Sequence, residues 1–300
     1  MPEGDTLFKT ATTLRAALAG KEVKAATAPR GGPAMYRVVG STVRAVTAHG
    51  KNLVIEFDNG LALRTHLRMW GSWHRYRPGE PWRTPGRPRI VASAPDNPVR
   101  VVIEVEDAVA VCFNAPVAEL MDARALAIHP TLANLGPDIL IDPFDVEQVC
   151  RNIRARAGGE GEIGVYLMDQ RAVAGIGNVY KNESLFIERV HPYTRVVDMD
   201  DATLRRIVER ARDLMRFNVE RGIRITDSDG PPHKGTRMWI HGRRGLPCRR
   251  CGSRVVGDRQ GELNRHTVWC ARCQPVPEHY EPRSGPSKRE AAGRHWRGRF

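Results

Sequence analysis

The first residues of the chain combine a proline and a carboxylate that could perform covalent chemistry on a sugar. The chain opens Met1-Pro2-Glu3-Gly4-Asp5. Methionine before a small residue is usually removed, which would leave Pro2 as a free secondary amine that titrates near neutrality. Such an amine can attack a sugar C1′ atom and form a charged iminium, which acidifies the C2′ proton and permits loss of the 3′ phosphate. Glu3 is placed to transfer protons in these steps. The alternative is that the PEGD segment only begins a helix.

Four cysteines near the end of the chain predict a metal site. Cys248 and Cys251 form one C-x2-C pair, and Cys270 and Cys273 form a second after eighteen intervening residues. Each pair can bring two thiolates to one tetrahedral zinc ion, and the intervening length suits a β-hairpin. Four sulfur ligands leave no open position for water, so we expect one structural Zn2+ whose binding supplies the folding energy of this short module. Two redox-active cysteine pairs are the alternative.

Arginine is abundant within and beside the cysteine module. Arg259 and Arg265 lie between the two cysteine pairs, and further arginines surround them. A rigid hairpin can hold a guanidinium group against a phosphate, which it binds through paired hydrogen bonds. Surface solubility would also explain these side chains. The surrounding arginines are Arg243, Arg244, Arg249, Arg250 and Arg254.

The composition favours a polyanionic partner. The chain has 47 Lys and Arg residues against 34 Asp and Glu residues, a net charge of +13. Basic side chains release the counterions condensed on phosphates, although solubility alone would also explain the excess. Acidic and basic residues interrupt any apolar run at the start, and no apolar stretch reaches membrane-spanning length. We therefore expect a soluble cytoplasmic protein without a membrane partner, in which Cys112 and Cys150 are small buried residues.

The first part of the chain reads as one helix followed by strands. Leu7, Ala11, Leu14 and Leu18 have helical spacing, with Asp5 as a possible cap. Residues 53–57 and 61–65 flank an Asp-Asn-Gly turn and predict a hairpin, as do residues 99–105 and 108–113. A helix followed by many short strands indicates a sandwich-like β domain.

The second part changes to helical periodicity. Pro130, Gly136 and Pro137 break regular structure and predict an interdomain linker. Beyond it, apolar residues share one face around Val149, and residues 200–220 carry a longer apolar stripe. The predicted fold class is therefore α+β: an N-terminal β-sandwich with a flanking helix, then a helical domain with a β-hairpin zinc finger. The expected divisions are residues 1–121, linker 122–142, helical domain 143–236, zinc finger 237–275 and a basic, disordered tail 276–300.

Taken together, the motifs resemble the formamidopyrimidine-DNA glycosylase/endonuclease VIII family. The opening MPEGDT is similar to its endonuclease VIII branch in particular. The other matching segments follow in order from residue 2 to about residue 274. They are His49-Gly50-Lys51 for the β-domain lysine motif, Leu135-Gly136-Pro137-Asp138 for the hinge, Gly175-Ile176-Gly177-Asn178-Val179-Tyr180 for the turn of the helix–two-turns–helix, and Trp239-Ile240-His241-Gly242-Arg243 for the entry to the zinc finger.

The resemblance implies roles for individual residues in catalysis. Pro2 would be the Schiff-base nucleophile and Glu3 the acid and base. Lys51 would contact phosphate and assist the first elimination, or be a surface lysine after a tight turn. Arg265, five residues before Cys270, would grip the phosphates and assist the second elimination. Arg259 is the second candidate for that role.

The resemblance also implies contacts with DNA. Asn178 would open a helix and bind phosphate, or simply cap that helix. Arg68, Met69 and Trp70 would fill the gap left by an extruded base, although Trp70 could instead be a core aromatic. This trio differs from the Gln-Leu-Tyr-like pattern of enterobacterial endonuclease VIII, which puts the opposite-base preference in question. Asn134 stands where related proteins can carry a DNA-contacting arginine, so we expect a weaker contact there.

The implied function is that of a bifunctional DNA glycosylase and abasic-site lyase in base excision repair. It would act as a monomer on damaged double-stranded DNA in the bacterial cytoplasm, at the nucleoid. We expect oxidised pyrimidines such as thymine glycol as substrates and β,δ-elimination at the abasic site. A loop at residues 227–234 resembles the lid over the extruded base in the formamidopyrimidine branch. Oxidised purines are the alternative substrates, against which the PEGD opening argues. A second alternative is a DNA-binding protein without catalytic activity. Four candidate catalytic residues argue against it: Pro2, Glu3, Lys51 and Arg265.

Overall fold

The N-terminal half forms two antiparallel sheets and one long helix. The computed structural model describes residues 2–29, 31–82, 99–227 and 237–281. One sheet has the strand order β1-β6-β7-β5 and the other β2-β3-β4-β8. The elements are α1 (Gly4–Leu18), β1 (Ala25–Thr27), a 3-10 turn (Met35–Val38), β2 (Val43–His49), β3 (Asn52–Phe57), β4 (Leu61–His66), β5 (Ser72–Tyr76), β6 (Val99–Val105), β7 (Ala108–Phe113) and β8 (Val117–Asp122).

Both sheets and α1 contribute to one apolar core. Leu7 and Leu14 of α1 are almost fully buried and pack in the same cluster as Ile55 of β3 and Ile103 of β6. Each fully buried aliphatic side chain contributes about 1.5–3 kcal/mol of transfer free energy, so these contacts fix the helix against both layers. The predicted sandwich with a flanking helix and both predicted hairpins are confirmed.

The second half is mainly helical. Asp145 and Asp200 cap α3 and α6, because their side chains accept hydrogen bonds from the N–H groups of Gln148 and Thr203. The predicted stripe around Ile207 is buried in a second core. The helices are α2 (Ala123–Ala127), α3 (Val146–Ala157), α4 (Ile163–Tyr166), α5 (Asn178–Ile187) and α6 (Asp201–Val219), with a 3-10 turn at Val196–Asp198.

The cysteine module is a hairpin that packs on α5. Strands β9 (Val256–Gln260) and β10 (Arg265–Trp269) pair antiparallel. Phe186 of α5 lies in the same small core as Val255 and Val268 of the module. The hairpin therefore has a fixed position on the helical domain.

One predicted cap is wrong. Helix α1 begins at Gly4 after Glu3, without a capping side chain, and Asp5 lies inside its first turn. Asp5 is buried and instead accepts hydrogen bonds from Tyr180 and Arg224. Both carboxylate oxygens of Asp5 are engaged by these tertiary hydrogen bonds, which explains why Asp5 does not act as the cap.

Two of the predicted segments lie wholly or largely outside the described residues. These are the greater part of the lid at 227–234, beyond Asp227, and the tail after residue 281. Within the described ranges, no helix combines the length and apolar character needed to span a membrane.

Candidate active site and nucleic-acid interface

The carboxylate of Glu3 is fully buried against the first turn of α5. Its Oε1 accepts a hydrogen bond from the N–H of Val179 at 2.8 Å. Its Oε2 accepts from the N–H groups of Gly177 at 3.1 Å and Tyr180 at 3.4 Å. The N–H groups of a first helical turn have no partner within the helix and favour negative charge. The start of the chain is therefore anchored on the second half of the molecule by a carboxylate.

Close backbone approach explains the glycines around Glu3. We call residues 174–177 the glycine turn. The N–H of Gly4 donates to the carbonyl of Gly175 at 3.0 Å, and a Cβ atom on Gly4 would lie 2.9 Å from the Cα of Gly175. A Cβ atom on Gly177 would lie 2.3 Å from the Cδ of Glu3. The sequence can place Pro2 and Glu3 on this turn because these positions lack side chains.

Lys51 joins this cluster from the first domain. It follows Gly50 in the tight connection between β2 and β3, which we call the lysine turn (residues 49–51). Gly50 has a φ of +58°, and its Cα faces Ala174 of the glycine turn so closely that a Cβ would lie 3.0 Å from the Cβ of Ala174. Burial lowers the pKa of Lys51 to about 8, an effect that Glu3 opposes and Arg265 strengthens. Lys51, Glu3 and Arg265, distant in sequence, thus lie within one electrostatic site.

The hairpin register separates the two candidate arginines. Arg265 pairs with Gln260, whereas Arg259 pairs with His266. Residues directly opposite each other share a face of the sheet, and successive residues alternate, so Arg259 and Arg265 lie on opposite faces. Arg265 is on the face that acts on Lys51. Arg259 is exposed and donates to the carbonyl of Asn264 at 3.1 Å, across the hairpin turn.

Sequence reasoning missed a buried lysine, Lys181. It lies fully buried on α5, and its Nζ donates to the Oγ1 of Thr267 on β10 at 2.6 Å. Burial lowers its pKa to about 7, with Glu3 opposing and Arg265 adding to the change. The available signal was its place three residues after Asn178, within a helix whose other positions are almost all buried.

A second missed set connects the start of α1 to the end of the helical domain. Asp5 accepts hydrogen bonds from the Tyr180 hydroxyl at 2.8 Å and from Nη2 of Arg224 at 2.6 Å. Burial alone would raise the pKa of Asp5, but the charge and hydrogen bonds of Arg224 and Tyr180 outweigh it and lower the pKa. Burial raises the pKa of Tyr180 and keeps its hydroxyl a donor. More than 200 residues separate Asp5 from Arg224, so spacing gave no signal.

A polar cavity of about 530 Å³ opens beside Pro2. Pro2 itself is half-buried. The cavity is also lined by hydroxyl and cationic side chains, including Thr6, Lys9, Arg75 and Arg224. Such a lining suits a molecule rich in hydrogen-bond acceptors next to Pro2.

The predicted gap-filling residues lie in the connection between β4 and β5. Arg68 has a φ of +46°, and Met69 and Trp70 are 49% and 48% exposed. The exposure of Trp70 rules out the core position that the sequence left open. The connection is closed by a hydrogen bond from the N–H of Gly71 to the carbonyl of Leu67 at 2.9 Å, so it presents its apolar side chains as a fixed tip.

The two predicted asparagines differ in environment. Asn178 is the first residue of α5, after Gly177, and its Nδ2 donates to the carbonyl of His266 at 2.8 Å. Its side chain therefore connects α5 to β10 and does not cap the helix, and in the described part of the chain its Oδ1 has no hydrogen-bond partner. Asn134 is exposed, and its amide donates to the carbonyl of Pro130 at 2.8 Å.

The four predicted metal ligands converge. The Sγ atoms of Cys248, Cys251, Cys270 and Cys273 all lie within 4.8 Å of one another. The Cys248–Cys273 and Cys251–Cys270 sulfur distances are 3.9 Å and 3.5 Å. A tetrahedral zinc ion with Zn–S bonds of about 2.3 Å separates its sulfurs by about 3.8 Å, so the arrangement fits zinc. Two independent redox pairs would not converge in this way.

The remaining cysteines are buried residues in the two cores, as predicted. Cys112 lies in the first core and Cys150 in the second. Burial raises the pKa of Cys150 to about 11, so its thiol stays protonated and unreactive.

Three family models match the chain. The formamidopyrimidine-DNA glycosylase N-terminal domain matches residues 1–119, and the formamidopyrimidine-DNA glycosylase H2TH domain matches residues 135–229. The zinc finger found in FPG and IleRS matches residues 245–276.

Relatives match over almost the whole length of the chain. A probable endonuclease 8 2 of Streptomyces coelicolor is 35% identical over 290 residues, covering 95% of this chain and 97% of that protein. The DNA-(apurinic or apyrimidinic site) lyase Nei2 of Mycolicibacterium smegmatis is 35% identical over 274 residues, covering 91% and 99%. The Lactococcus lactis Fpg in complex with abasic-site DNA has the same fold, with a TM-score of 0.72 at 17% identity over 92% of this chain and 100% of that one. By its sequence relatives, its family models and its fold, the chain belongs to the formamidopyrimidine-DNA glycosylase/endonuclease 8 family.

Proposed function

We propose that the protein is a bifunctional DNA glycosylase and abasic-site lyase of base excision repair, with Pro2 as its nucleophile once Met1 is removed. The observation that carries this proposal is the carboxylate of Glu3. It is buried on the α5 N-terminus, directly beside Pro2 and the polar cavity, and within the electrostatic range of Lys51. An amine nucleophile, a proton-transferring carboxylate and a cation are what imine chemistry on a sugar requires.

In the proposed reaction the Pro2 nitrogen attacks C1′ of the damaged nucleotide. The bond between C1′ and the base breaks, and the base leaves with the electron pair and takes up a proton. The Pro2 nitrogen loses its proton, the C1′–O4′ bond breaks, and O4′ takes up a proton, which leaves an iminium between Pro2 and C1′. This iminium acidifies C2′, whose proton is removed while the 3′ C–O bond breaks and the phosphate leaves. Loss of the C4′ proton and cleavage of the 5′ C–O bond complete the β,δ-elimination, and water releases Pro2. Glu3 transfers protons, and Lys51 and Arg265 neutralise the departing phosphates.

We propose damaged double-stranded DNA as the substrate, with oxidised pyrimidines as the lesions. The relatives named endonuclease 8 and Nei2, similar over nearly the full length, support this choice. The exposed tip at Met69 and Trp70, preceded by Arg68, suits insertion into the gap left by an extruded base. Asn178, at the start of α5 beside strand β10, is the proposed phosphate contact of the helical domain. Asn134 and Arg259 are proposed as peripheral backbone contacts, because other groups already engage them.

We propose one structural zinc ion held by the four cysteines. Zinc bound there would supply the folding energy of the hairpin and thereby fix Arg265 at the site. The packing of the buried Cys248 and Cys270 in the small core that contains Phe186 supports a structural role. We further propose that the protein acts as a monomer at the nucleoid of the bacterial cytoplasm. Sedimentation of the free protein and of its DNA complex tests the monomeric state.

Borohydride trapping tests the central proposal. Reduction during incubation with a thymine glycol duplex should give a covalent adduct, and mass spectrometry should locate it on the Pro2 nitrogen. The matched control carries a chemically blocked terminal amine and should give neither an adduct nor strand cleavage. Unchanged cleavage of an abasic oligonucleotide by the blocked protein would contradict the proposal. Faster trapping on 8-oxoguanine duplexes would indicate oxidised purines instead, and binding without cleavage would indicate a DNA-binding protein without catalysis.

A further inference from the structure

Asp138 connects the interdomain junction to the lysine turn. It belongs to residues 135–140, which we call the junction. Its Oδ2 accepts a hydrogen bond from the N–H of Gly50 at 2.6 Å, and its Oδ1 accepts from the N–H of Leu140 at 3.0 Å. Gly50 directly precedes Lys51. A carboxylate of the junction therefore holds the backbone from which the Lys51 side chain extends.

The junction also pairs with the glycine turn. The N–H of Ala174 donates to the carbonyl of Pro137 at 2.9 Å, and the N–H of Ile139 donates to the carbonyl of Ala174 at 3.1 Å. Adjacent to Ala174, Gly175 accepts the hydrogen bond from Gly4. Asp138 thus lies where the lysine turn, the junction and the turn that carries Glu3 meet.

We propose that Asp138 is a positioning residue for Lys51: it holds the lysine turn of the first domain against the glycine turn of the second. This inference rests on the role proposed above for Lys51. A lysine side chain is long and flexible, so its reach depends on where its backbone is anchored. The charge-assisted hydrogen bond from Gly50 supplies that anchor across the domain boundary, and the one from Leu140 fixes the carboxylate within the junction.

The electrostatic environment of Asp138 agrees with a positioning role. Burial raises the pKa of Asp138, while the N–H groups of Gly50 and Leu140 and the charge of His49 oppose the change. Burying a carboxylate is costly unless its hydrogen bonds are satisfied. Asp138 satisfies this requirement with the N–H of Gly50, which joins the junction to the lysine turn, and with the N–H of Leu140 inside the junction.

A double-mutant cycle between Asp138 and Lys51 tests the proposal. In Asp138→Asn the side chain has only one acceptor oxygen, and its NH2 group must face the N–H of either Gly50 or Leu140. One of the two hydrogen bonds is therefore lost. We expect single-turnover cleavage of an abasic duplex to slow by about tenfold or more, since misplacing a reacting group by 1 Å can cost about a hundredfold. Combined with Lys51→Ala, Asp138→Asn should slow cleavage no further, because residues that act through one another are not additive. DNA affinity should change little.

The matched control is Asp142→Asn, four residues further along. Asp142 is exposed and pairs with Arg212 and Arg216, without contacting the lysine turn. It should leave the cleavage rate unchanged. Rates are compared per folded molecule, and Asp138→Ser, which keeps an oxygen acceptor, replaces Asp138→Asn if that variant does not fold.

The outcomes separate this inference from the proposed function. Normal cleavage by Asp138→Asn, or losses that add to those of Lys51→Ala, would overturn the positioning role while leaving the lyase proposal intact. Normal cleavage by Lys51→Ala would overturn the role of Lys51 and the inference with it. Trapping on Pro2 measures the lyase proposal separately.

Discussion

Substituting Gly177 by alanine should separate the orientation of Glu3 from every other feature of the site. Gly177 has φ −125° and ψ −164°, an extended backbone that alanine adopts without strain. Its added Cβ would lie 2.3 Å from Cδ, 2.6 Å from Cγ and 2.6 Å from Oε1 of Glu3. Carbon atoms normally approach to about 3.5 Å, so the Glu3 carboxyl group must move by about 1 Å or more.

Two effects of measurable size follow from this displacement. A shift of about 1 Å in a catalytic group can cost a hundredfold in rate, so we expect Schiff-base formation to slow by about that factor. The hydrogen bonds from Gly177, Val179 and Tyr180 to a charged acceptor contribute about 1.5–3 kcal/mol each, and at least one should be lost from the free energy of unfolding.

Single-turnover borohydride trapping and urea denaturation measure these effects. The matched control is Gly159→Ala, because a Cβ at Gly159 meets no atom within 4 Å and its backbone is not left-handed. That control should trap at the wild-type rate. If Gly177→Ala traps as fast as wild type, the fixed orientation of Glu3 is not required for imine formation, and the reasoning is refuted.

Further predictions concern buried charges and the metal. Lys181→Met should raise the free energy of unfolding near pH 7, because the unfolded chain binds a proton there that the folded chain, with a Lys181 pKa of about 7, partly excludes. The free energy of unfolding of the wild type should therefore rise between pH 7 and 10, by up to ~1.4 kcal/mol per pH unit, and approach that of Lys181→Met. Urea unfolding of both proteins across this pH range measures the difference. A difference that does not change with pH would contradict the prediction. Asp5→Asn should destabilise by about 3–5 kcal/mol, because it leaves the Arg224 guanidinium without its buried partner. The exposed pair of Lys21 and Asp107 supplies the control, since solvent screens it and Asp107→Asn should leave the thermal unfolding midpoint almost unchanged. Removing the metal with a chelator should leave borohydride trapping on Pro2 in place. The cleavage products, separated on a gel, should shift from those of δ-elimination towards those of β-elimination. Unchanged products would argue against a role for Arg265.

The sequence was most informative where spacing and chemistry are local. The two C-x2-C pairs indicated the metal site because each pair lies within one turn, and helices α1 and α6 were predicted from apolar residues at helical spacing. The assignment of Asp5 as a cap failed for the opposite reason. Its partners, Tyr180 and Arg224, come from distant segments, and a local rule cannot rank a helix end against an ion pair formed by tertiary contact.

The candidate arginines illustrate how register decides what composition leaves open. Arg259 and Arg265 are equivalent in type and both lie between the cysteine pairs. Only the pairing of β9 with β10 places them on opposite faces. A shift of one residue would pair Arg259 directly with Arg265 and place both on one face, and the hairpin sequence alone did not fix that register. Lys181 was missed because a lysine in a helix is normally solvent-exposed, whereas almost every residue of α5 is buried between the glycine turn and the hairpin.

The way in which Glu3 is stabilised explains how the nearby cations remain free for substrate. An ion pair between Glu3 and Lys51 or Arg265 would have neutralised the side chains that we propose contact phosphate. The carboxylate is instead satisfied by backbone N–H groups at the start of α5. Among the described residues, neither Lys51 nor Arg265 forms an ion pair with a carboxylate. Because main-chain donors carry the buried negative charge, Lys51 can lie within the electrostatic influence of Glu3 without an ion pair, and both cations stay available for the phosphate contacts proposed above.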